Sequence, residues 1–406
     1  MKRIYLDHAA TTYLDDAVKA AMEPFWQENF GNASTIYKEG IDARNALNAS
    51  RKKIASLINS HPDEIIFTNG GTESDNLAIF GVVRQYKKGH IITTKIEHHA
   101  VLNPFKFWES KGFDVTYLNV TKEGIVDLKE FKKALRKDTV LVSIMYANNE
   151  IGTIQPIAEI SKIIRNFRKS KHEARSTKKV SDFGFQISDL TAYPLFHTDA
   201  IQAAGYLDLN VQKLGIDLMS VNASKIYGPK GIGFLYVKRG IRLVPVLYGG
   251  SQERGLRAGT ENIPAIVGLA KALEISQAMT KKESKRLTVL RDYLIKNILK
   301  KIPNSSLNGH PILRLPNNVN VTIDGIEGES LVLYLDARGI ACSTGSACTS
   351  QDLEPSHVIT ALDKSKEASH CSVRFTLGRK TKKEDLDYLL KILPDIVKKL
   401  RGISAI

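Results

Sequence analysis

Apolar positions recur along the chain with two different periods. EIIFTNGG (64–71) is a short apolar run stopped by glycines, HIITTKI (90–96) is β-branched, DVTYLNV (114–120) alternates, and TVLVSIMYA (139–147) is apolar enough for a strand covered on both faces. FHTDA (196–200), DLMSVNAS (217–224) and GIGFLYVK (231–238) continue the series. Between them, ESDNLAIFGVVRQY (73–86) has a helical apolar period and DLKEFKKALR (127–136) is amphipathic. Strands alternating with helices of about ten residues or more predict βαβ units and a largely parallel sheet, an α/β fold.

After Thr260 the texture changes. Two helical stretches fill 263–302, followed by a strand in NNVNVTI (317–323), a helix in ESLVLYLDARG (329–339) and a strand in CSVRFTL (371–377). KKEDLDYLLKILPDIVKKLRG (382–402) reads as a closing amphipathic helix bent at Pro394. The expected division is a large α/β domain over 15–262 and a smaller α+β domain built from 1–14 and 263–406. One stretch breaks the rhythm. A helix is expected over 157–167 and the next strand at Phe196, which leaves 168–195 between them, and eight Lys or Arg against one Glu fall across 162–179. Loops of that length are uncommon in a compact domain, and a solvated surface excursion is the plainest reading.

With 406 residues, 43% hydrophobic and 25% charged, the chain has ordinary globular composition and length enough to bury a core. That excludes a disordered chain and a small stapled scaffold. Lys+Arg 58 against Asp+Glu 43 leaves +15, which would suit an acidic partner but is more simply a solvated surface. Cys342, Cys348 and Cys371 are too few for a disulfide framework and form no CxxC pair. The first residues reach Asp7 and His8 before any apolar run, and no stretch approaches the roughly 20 apolar residues of a membrane span. Neither a signal peptide nor a membrane is therefore expected, and the chain reads as a soluble protein of a reducing cytoplasm.

Four places carry candidate chemistry. TNGGTESDN (68–76) follows a strand and opens a helix, so free N–H groups and the helix dipole there could hold an anion, with Thr72 adding a hydroxyl; simple turn chemistry is the alternative. Asp199 ends a strand in HTDAIQ, where it either points into the ligand crevice of an open sheet or caps the next helix. Lys225 in SKIYGPKG also follows a strand, exposed or functional. An anion cradle, a carboxylate and a lysine at strand ends are together what pyridoxal phosphate requires. Cys348 in STGSACTS sits on a Gly/Ser loop, accessible as a nucleophile must be, whereas free cysteines are commonly buried and inert. Arg374 in SVRFTLGR could fork a carboxylate or form a surface salt bridge.

With these residues, YLDHAATT (5–12), GNAST (31–35), EHHAV (97–101), NNEIG (148–152), QERGLRAGTEN (252–262) and LEPSHV (353–358), the chain resembles the NifS/IscS-type cysteine desulfurases over nearly its whole length. These are fold-type I, class V aminotransferase enzymes that use pyridoxal 5'-phosphate. The resemblance implies that Lys225 carries the cofactor, Asp199 holds its pyridinium nitrogen and Gln202 its phenolic oxygen. It further implies that His98 stacks on the ring and helps move protons, that Gly71 and Thr72 hold the phosphate, and that Thr260 reaches the phosphate of a neighbouring subunit in a homodimer. Asn149 and Arg374 would bind the carboxylate of L-cysteine, and Cys348 would take its sulfur as a persulfide. An acceptor protein, an iron–sulfur scaffold or a tRNA-thiolation enzyme, would receive that sulfur, with no nucleic acid bound directly.

Three departures stand out. Asn222-Ala223-Ser224-Lys225 replaces the family's usual Ser-x-His-Lys, so the phosphate donors are expected to be redistributed onto Asn222 or Ser224. The 168–195 stretch looks like an insertion. The chain ends at Ile406 soon after its last helix, which leaves open how a scaffold partner would be held. The competing readings are another reaction on the same fold, such as that of a selenocysteine lyase or transaminase, and a basic RNA-binding or scaffold protein without catalysis.

Overall fold

The computed structural model describes residues 3–176, 193–344 and 355–403. Among these residues the strands in chain order are β1 (Ile4–Tyr5), β2 (Ile65–Thr68), β3 (His90–Thr94), β4 (Asp114–Leu118), β5 (Thr139–Ser143), β6 (Leu195–Asp199), β7 (Leu218–Asn222), β8 (Gly233–Val237), β9 (Ser305–Leu307), β10 (Asn318–Ile323), β11 (Ile340–Ala341) and β12 (Ser372–Thr376). β2 to β8 form one sheet in the order β2-β8-β7-β6-β5-β3-β4. β8 runs antiparallel to β2 and β7, and the other neighbours are parallel. Successive side chains divide between the two faces of the sheet. Ile66, Leu141 and Leu218 pack under Leu77, Val82 and Phe105. Ile65, Phe67, Val142 and Met219 pack on the opposite side with Ile54, Ile157 and Ile160. Covered on both faces, the inner strands read in the sequence as apolar runs with little alternation. The expected α/β architecture, a mostly parallel sheet between helices, is therefore present.

β12, β10 and β9 form an antiparallel sheet, and β1 pairs in parallel with β11. The helix between the two parts is continuous from Ile263 to Lys301, where two stretches were expected. Its polar middle marks a change of neighbours: Gln277 donates to the Ala204 carbonyl at 2.8 Å, while Arg286 donates to the Thr381 carbonyl and Arg291 to the Arg314 carbonyl, at 2.8 and 3.0 Å. The buried stripe shifts with the neighbours, which breaks the apolar period without breaking the helix. The closing helix, Lys383–Ile403, runs through Pro394. Proline leaves the carbonyl four residues earlier without its N–H, and that carbonyl, on Leu390, accepts from Lys301 Nζ at 3.4 Å.

The helix expected over 157–167 extends over Ile157–Ser176. Arg168, at the head of the basic stretch, is not a solvated charge. It pairs with buried Asp217 and donates through Nε to the Pro194 carbonyl at 3.0 Å. The rest of that stretch from 177 to 192 lies outside the described residues.

Candidate active site

The C-terminal ends of β2, β3, β5, β6 and β7 meet at a cavity of about 390 Å³, in the crevice that an open parallel sheet leaves at its carboxyl edge. Beyond β2, Gly70 turns the chain at φ +132°, a conformation open to glycine. The helix Gly71–Val83 therefore starts at the cavity wall. Its first intrahelical bond runs from Ser74 N–H to the Gly70 carbonyl, so the N–H groups of Gly71, Thr72 and Glu73 precede the helical ladder and form an anion site. A side chain on Gly71 would place its Cβ 2.1 Å from Ile201 Cδ1. The Glu73 carboxylate is held by Asn69 N–H at 2.8 Å and Arg257 Nε at 2.9 Å.

β7 delivers Asn222 and then Lys225 on a short 3₁₀ turn. Asn222 Oδ1 accepts both the N–H of Ser224, at 2.6 Å, and its hydroxyl, at 2.9 Å. This fixes the amide so that Nδ2 lies next to Gly71, 3.7 Å from where a Cβ there would stand. Lys225 Nζ reaches into the cavity and donates to the carbonyl of Ala10.

β6 ends in Asp199, whose Oδ1 accepts the Ile201 N–H at 2.9 Å. It thus fastens the following turn and lines the cavity at once. Burial raises its proton affinity, while that N–H and Lys225 oppose the rise. Gln202 lines the cavity as well, with Nε2 donating to the Ala9 carbonyl at 3.0 Å. Beyond β3, His98 caps the helix His99–Ser110 by accepting the Ala100 N–H on Nδ1 at 3.1 Å, which assigns its proton to Nε2. Burial, reinforced by His99, Lys225 and His357, pushes its pKa down to about 4, so the ring is neutral near pH 7. Asn149 follows β5, and its carbonyl accepts from Arg374 Nη1 at 2.9 Å. Arg374, on β12, is buried and also bonded to Asp7, so the surface salt bridge is excluded in favour of an interior ion pair.

The remaining sequence candidates lie elsewhere. Ser224 turns its hydroxyl onto Asn222 and is not part of the cavity wall. Thr260 is exposed in a separate hollow beside Phe30 and Asn32. Cys348 lies outside the described residues, although Ser343 before it pairs with Arg374 and His357 after it bonds to the Glu97 carbonyl at 2.9 Å. Cys342 is buried, and burial pushes its thiol up to about 12, which makes it inert; Cys371 is half-buried.

Several groups at the site were not singled out in the sequence: Asp7, Asp75, Glu97, and the His99–His357 pair with ring centroids 4.8 Å apart. EHHAV, LEPSHV and TNGGTESDN contain most of them, but nothing local distinguishes a buried acid from a solvated one. Glu97 is fully buried and its pKa is pushed up to about 8 by desolvation, although Oε1 accepts from Thr94 Oγ1 at 2.8 Å and Met145 N–H at 2.9 Å. Among the described residues no helix is long and apolar enough to cross a membrane.

Residues 4–171 and 179–389 match the family described as Aminotransferase class-V, and the gap between the two matched parts falls inside the basic stretch. A cysteine desulfurase IscS of Dictyoglomus turgidum is 50% identical over 100% of this chain and 97% of its own. Another, of Methanosarcina thermophila, is 49% identical over 99% and 94%. Among solved structures, a NifS-like protein superposes with a TM-score of 0.87 at 34% identity, covering 98% of this chain and 100% of the other. SspA in complex with cysteine does so with a TM-score of 0.76 at 36% identity, covering 92% and 98%.

Proposed function

The chain belongs to the class-V aminotransferase family, and we propose that it works there as a cysteine desulfurase, taking sulfur from L-cysteine and leaving L-alanine. The family is pyridoxal phosphate-dependent. The residues present fit that group: one cavity holds a primary amine on Lys225, a buried carboxylate on Asp199 and an anion-binding helix start at Gly71. This convergence carries the reading. When bound, pyridoxal phosphate supplies an electron sink for negative charge at the substrate's α-carbon.

Asp199 would hold the ring nitrogen and Gln202 the phenolic oxygen. The N–H groups at Gly71 and Thr72, with the amide of Asn222, would hold the phosphate. Lys225 Nζ would anchor the cofactor and, once cysteine displaces it, take the α-proton. Neutral His98 would lie against the ring with its proton on Nε2. Arg374 and Asn149 would receive the substrate carboxylate. The Cys348 thiolate would bond to the substrate sulfur as the carbon–sulfur bond breaks. Its support is the GSACTS sequence, and both flanks of that loop touch residues at the cavity.

The exposed apolar side chains Phe30, Ile36 and Tyr248, with Thr260 beside Phe30, favour a homodimer in which Thr260 serves the neighbouring subunit. The domain division at 15–262 against 1–14 and 263–406, a cytoplasmic location, and delivery to an iron–sulfur scaffold or tRNA-thiolation enzyme belong to the same proposal.

The test is alanine and sulfide formation from L-cysteine by the cofactor-loaded chain under reductant, with Cys348→Ser beside it. The variant should bind cysteine and release no sulfide. Wild-type sulfide release by the variant would end the persulfide role, and no alanine from the wild type would end the reading itself. L-selenocysteine, run in parallel, decides the alternative lyase reading.

A further inference from the structure

Asp75 has no part in the chemistry above, yet it lines the same cavity from the start of the second turn of the helix Gly71–Val83 and is wholly buried. Among the described residues, neither of its carboxylate oxygens has a hydrogen-bond partner of good geometry. His197 on β6 stands off at 3.6 Å from Oδ1, and Ser220 on β7 only moderates the acid. Asp199 and Glu97, both buried, face it from β6 and from the turn beyond β3. Among the described residues, no cation acts on Asp75 to balance a second buried anion here. His197 is fully enclosed between Ser143 and Ser220, at 2.8 and 3.0 Å, and desolvation pushes its pKa down to about 3. Lys225 acts on Asp199 instead.

We propose that Asp75 is a positioning residue that keeps a proton, so that Asp199 alone carries negative charge at this end of the cavity. Two desolvated carboxylates near each other cannot both ionise without compensation, and the proton settles on the one with fewer donors. Asp199 accepts the Ile201 N–H, and Asp75 has no equivalent. Burial and the charge of Asp199 both act to raise the proton affinity of Asp75. One negative charge would then face one protonated ring nitrogen, a balance that rests on the cofactor reading above. With Asp75 ionised, the pocket would hold an unbalanced anion and bind that proton too tightly. Asp75 therefore sets the charge that Asp199 presents.

Infrared spectra of the full chain, with the aspartate carboxyl carbons carbon-13 labelled, test this with and without pyridoxal phosphate. The label separates aspartate from Glu97. An aspartate-derived carboxylic-acid band should persist at pH 7 and be lost in Asp75→Asn. Should that variant fail to fold, Asp75→Glu must remove the band from the aspartate set and add one to a glutamate-labelled set. Absence of the band at pH 7 in the wild type would overturn the proposal. So would a band that survives both substitutions at Asp75 and disappears in Asp199→Asn. Visible absorption of the loaded chain reports separately whether the cofactor binds, so a failure of that reading leaves the infrared result standing.

Discussion

Arg374 Nη2 donates to Asp7 Oδ1 at 2.9 Å, and the arginine side chain is 2% exposed. A guanidinium so enclosed is costly unless paired, and this pair joins β12 to the segment after β1. Nη1 is also held, by the Asn149 carbonyl. The arginine assigned to the substrate carboxylate is thus fixed by residues far away in sequence before any substrate arrives. Pre-set geometry of this kind lowers the cost of orienting the ligand.

Asp7→Asn keeps the shape and removes the charge. It leaves a buried guanidinium uncompensated, and breaking such a pair from one side costs roughly 3–5 kcal/mol. The thermal midpoint should fall, and the KM for cysteine should rise more than kcat changes. Steady-state kinetics with thermal unfolding check both, and an unchanged KM would show that Arg374 does not meet the substrate.

Lys225 is held toward the cavity by the Ala10 carbonyl, whereas Lys230, five residues on, is exposed. Borohydride reduction of the chain loaded with pyridoxal phosphate, followed by peptide mapping, should label Lys225. Lys225→Ala should abolish turnover while still taking up cofactor noncovalently. A label on Lys230 would move the assignment.

Much of this site is legible in the sequence because of where a parallel sheet puts its strand ends. Gly71, Asp199 and Lys225 each follow an apolar run, and the topology gathers those ends at one edge. Position along a strand therefore sufficed for them. Asp7, Asp75 and Glu97 are another matter. Their roles come from burial and from partners on distant segments, and an acid near the start of a helix, such as Asp75, looks like ordinary dipole complementarity. Arg168 fails for the same reason: in a run of basic residues it reads as solvated, and only Asp217 beneath it shows otherwise. The long helix Ile263–Lys301 was obscured by its own change of packing partners.

Glu97 should make stability depend on pH in a definite direction. Its carboxyl moves from the usual 4.5 to about 8 in the folded chain because burial disfavours the charge. The contribution is complete below about 4.5 and is lost as pH rises through about 8. His98 and His197 act in the opposite sense, but only below about 6.5, where the unfolded chain takes up their protons. Between about pH 6.5 and 8 the buried acids are left to dominate, and stability should fall with pH by up to about 1.4 kcal/mol per unit from Glu97. Glu97→Gln keeps an acceptor for Thr94 and Met145 and should flatten that slope in urea unfolding of the cofactor-free chain. An equal slope in the variant would show that Glu97 does not carry the proton.

Asn222 and Ser224 stand where relatives of this kind were expected to carry serine and histidine, and the structure gives the two residues unequal parts. The Asn222 oxygen is occupied by both donors of Ser224, which leaves its Nδ2 donors beside Gly71 and the helix start. A phosphate there would gain a charge-assisted bond from Asn222 and none from the Ser224 hydroxyl, which is turned away. Such a bond contributes roughly 1.5–3 kcal/mol. Asn222→Ala should therefore speed cofactor loss in dialysis about tenfold or more, read from the visible absorption that remains. Ser224→Ala removes only one of the two bonds that orient the amide and should cost less. Asn222→Asp should be the most severe, because it sets a carboxylate against the phosphate where an amide donor stood. If Ser224→Ala loses cofactor as fast as Asn222→Ala, the hydroxyl must turn to the phosphate once the cofactor binds, and the division of labour drawn from the Asn222–Ser224 bond is wrong.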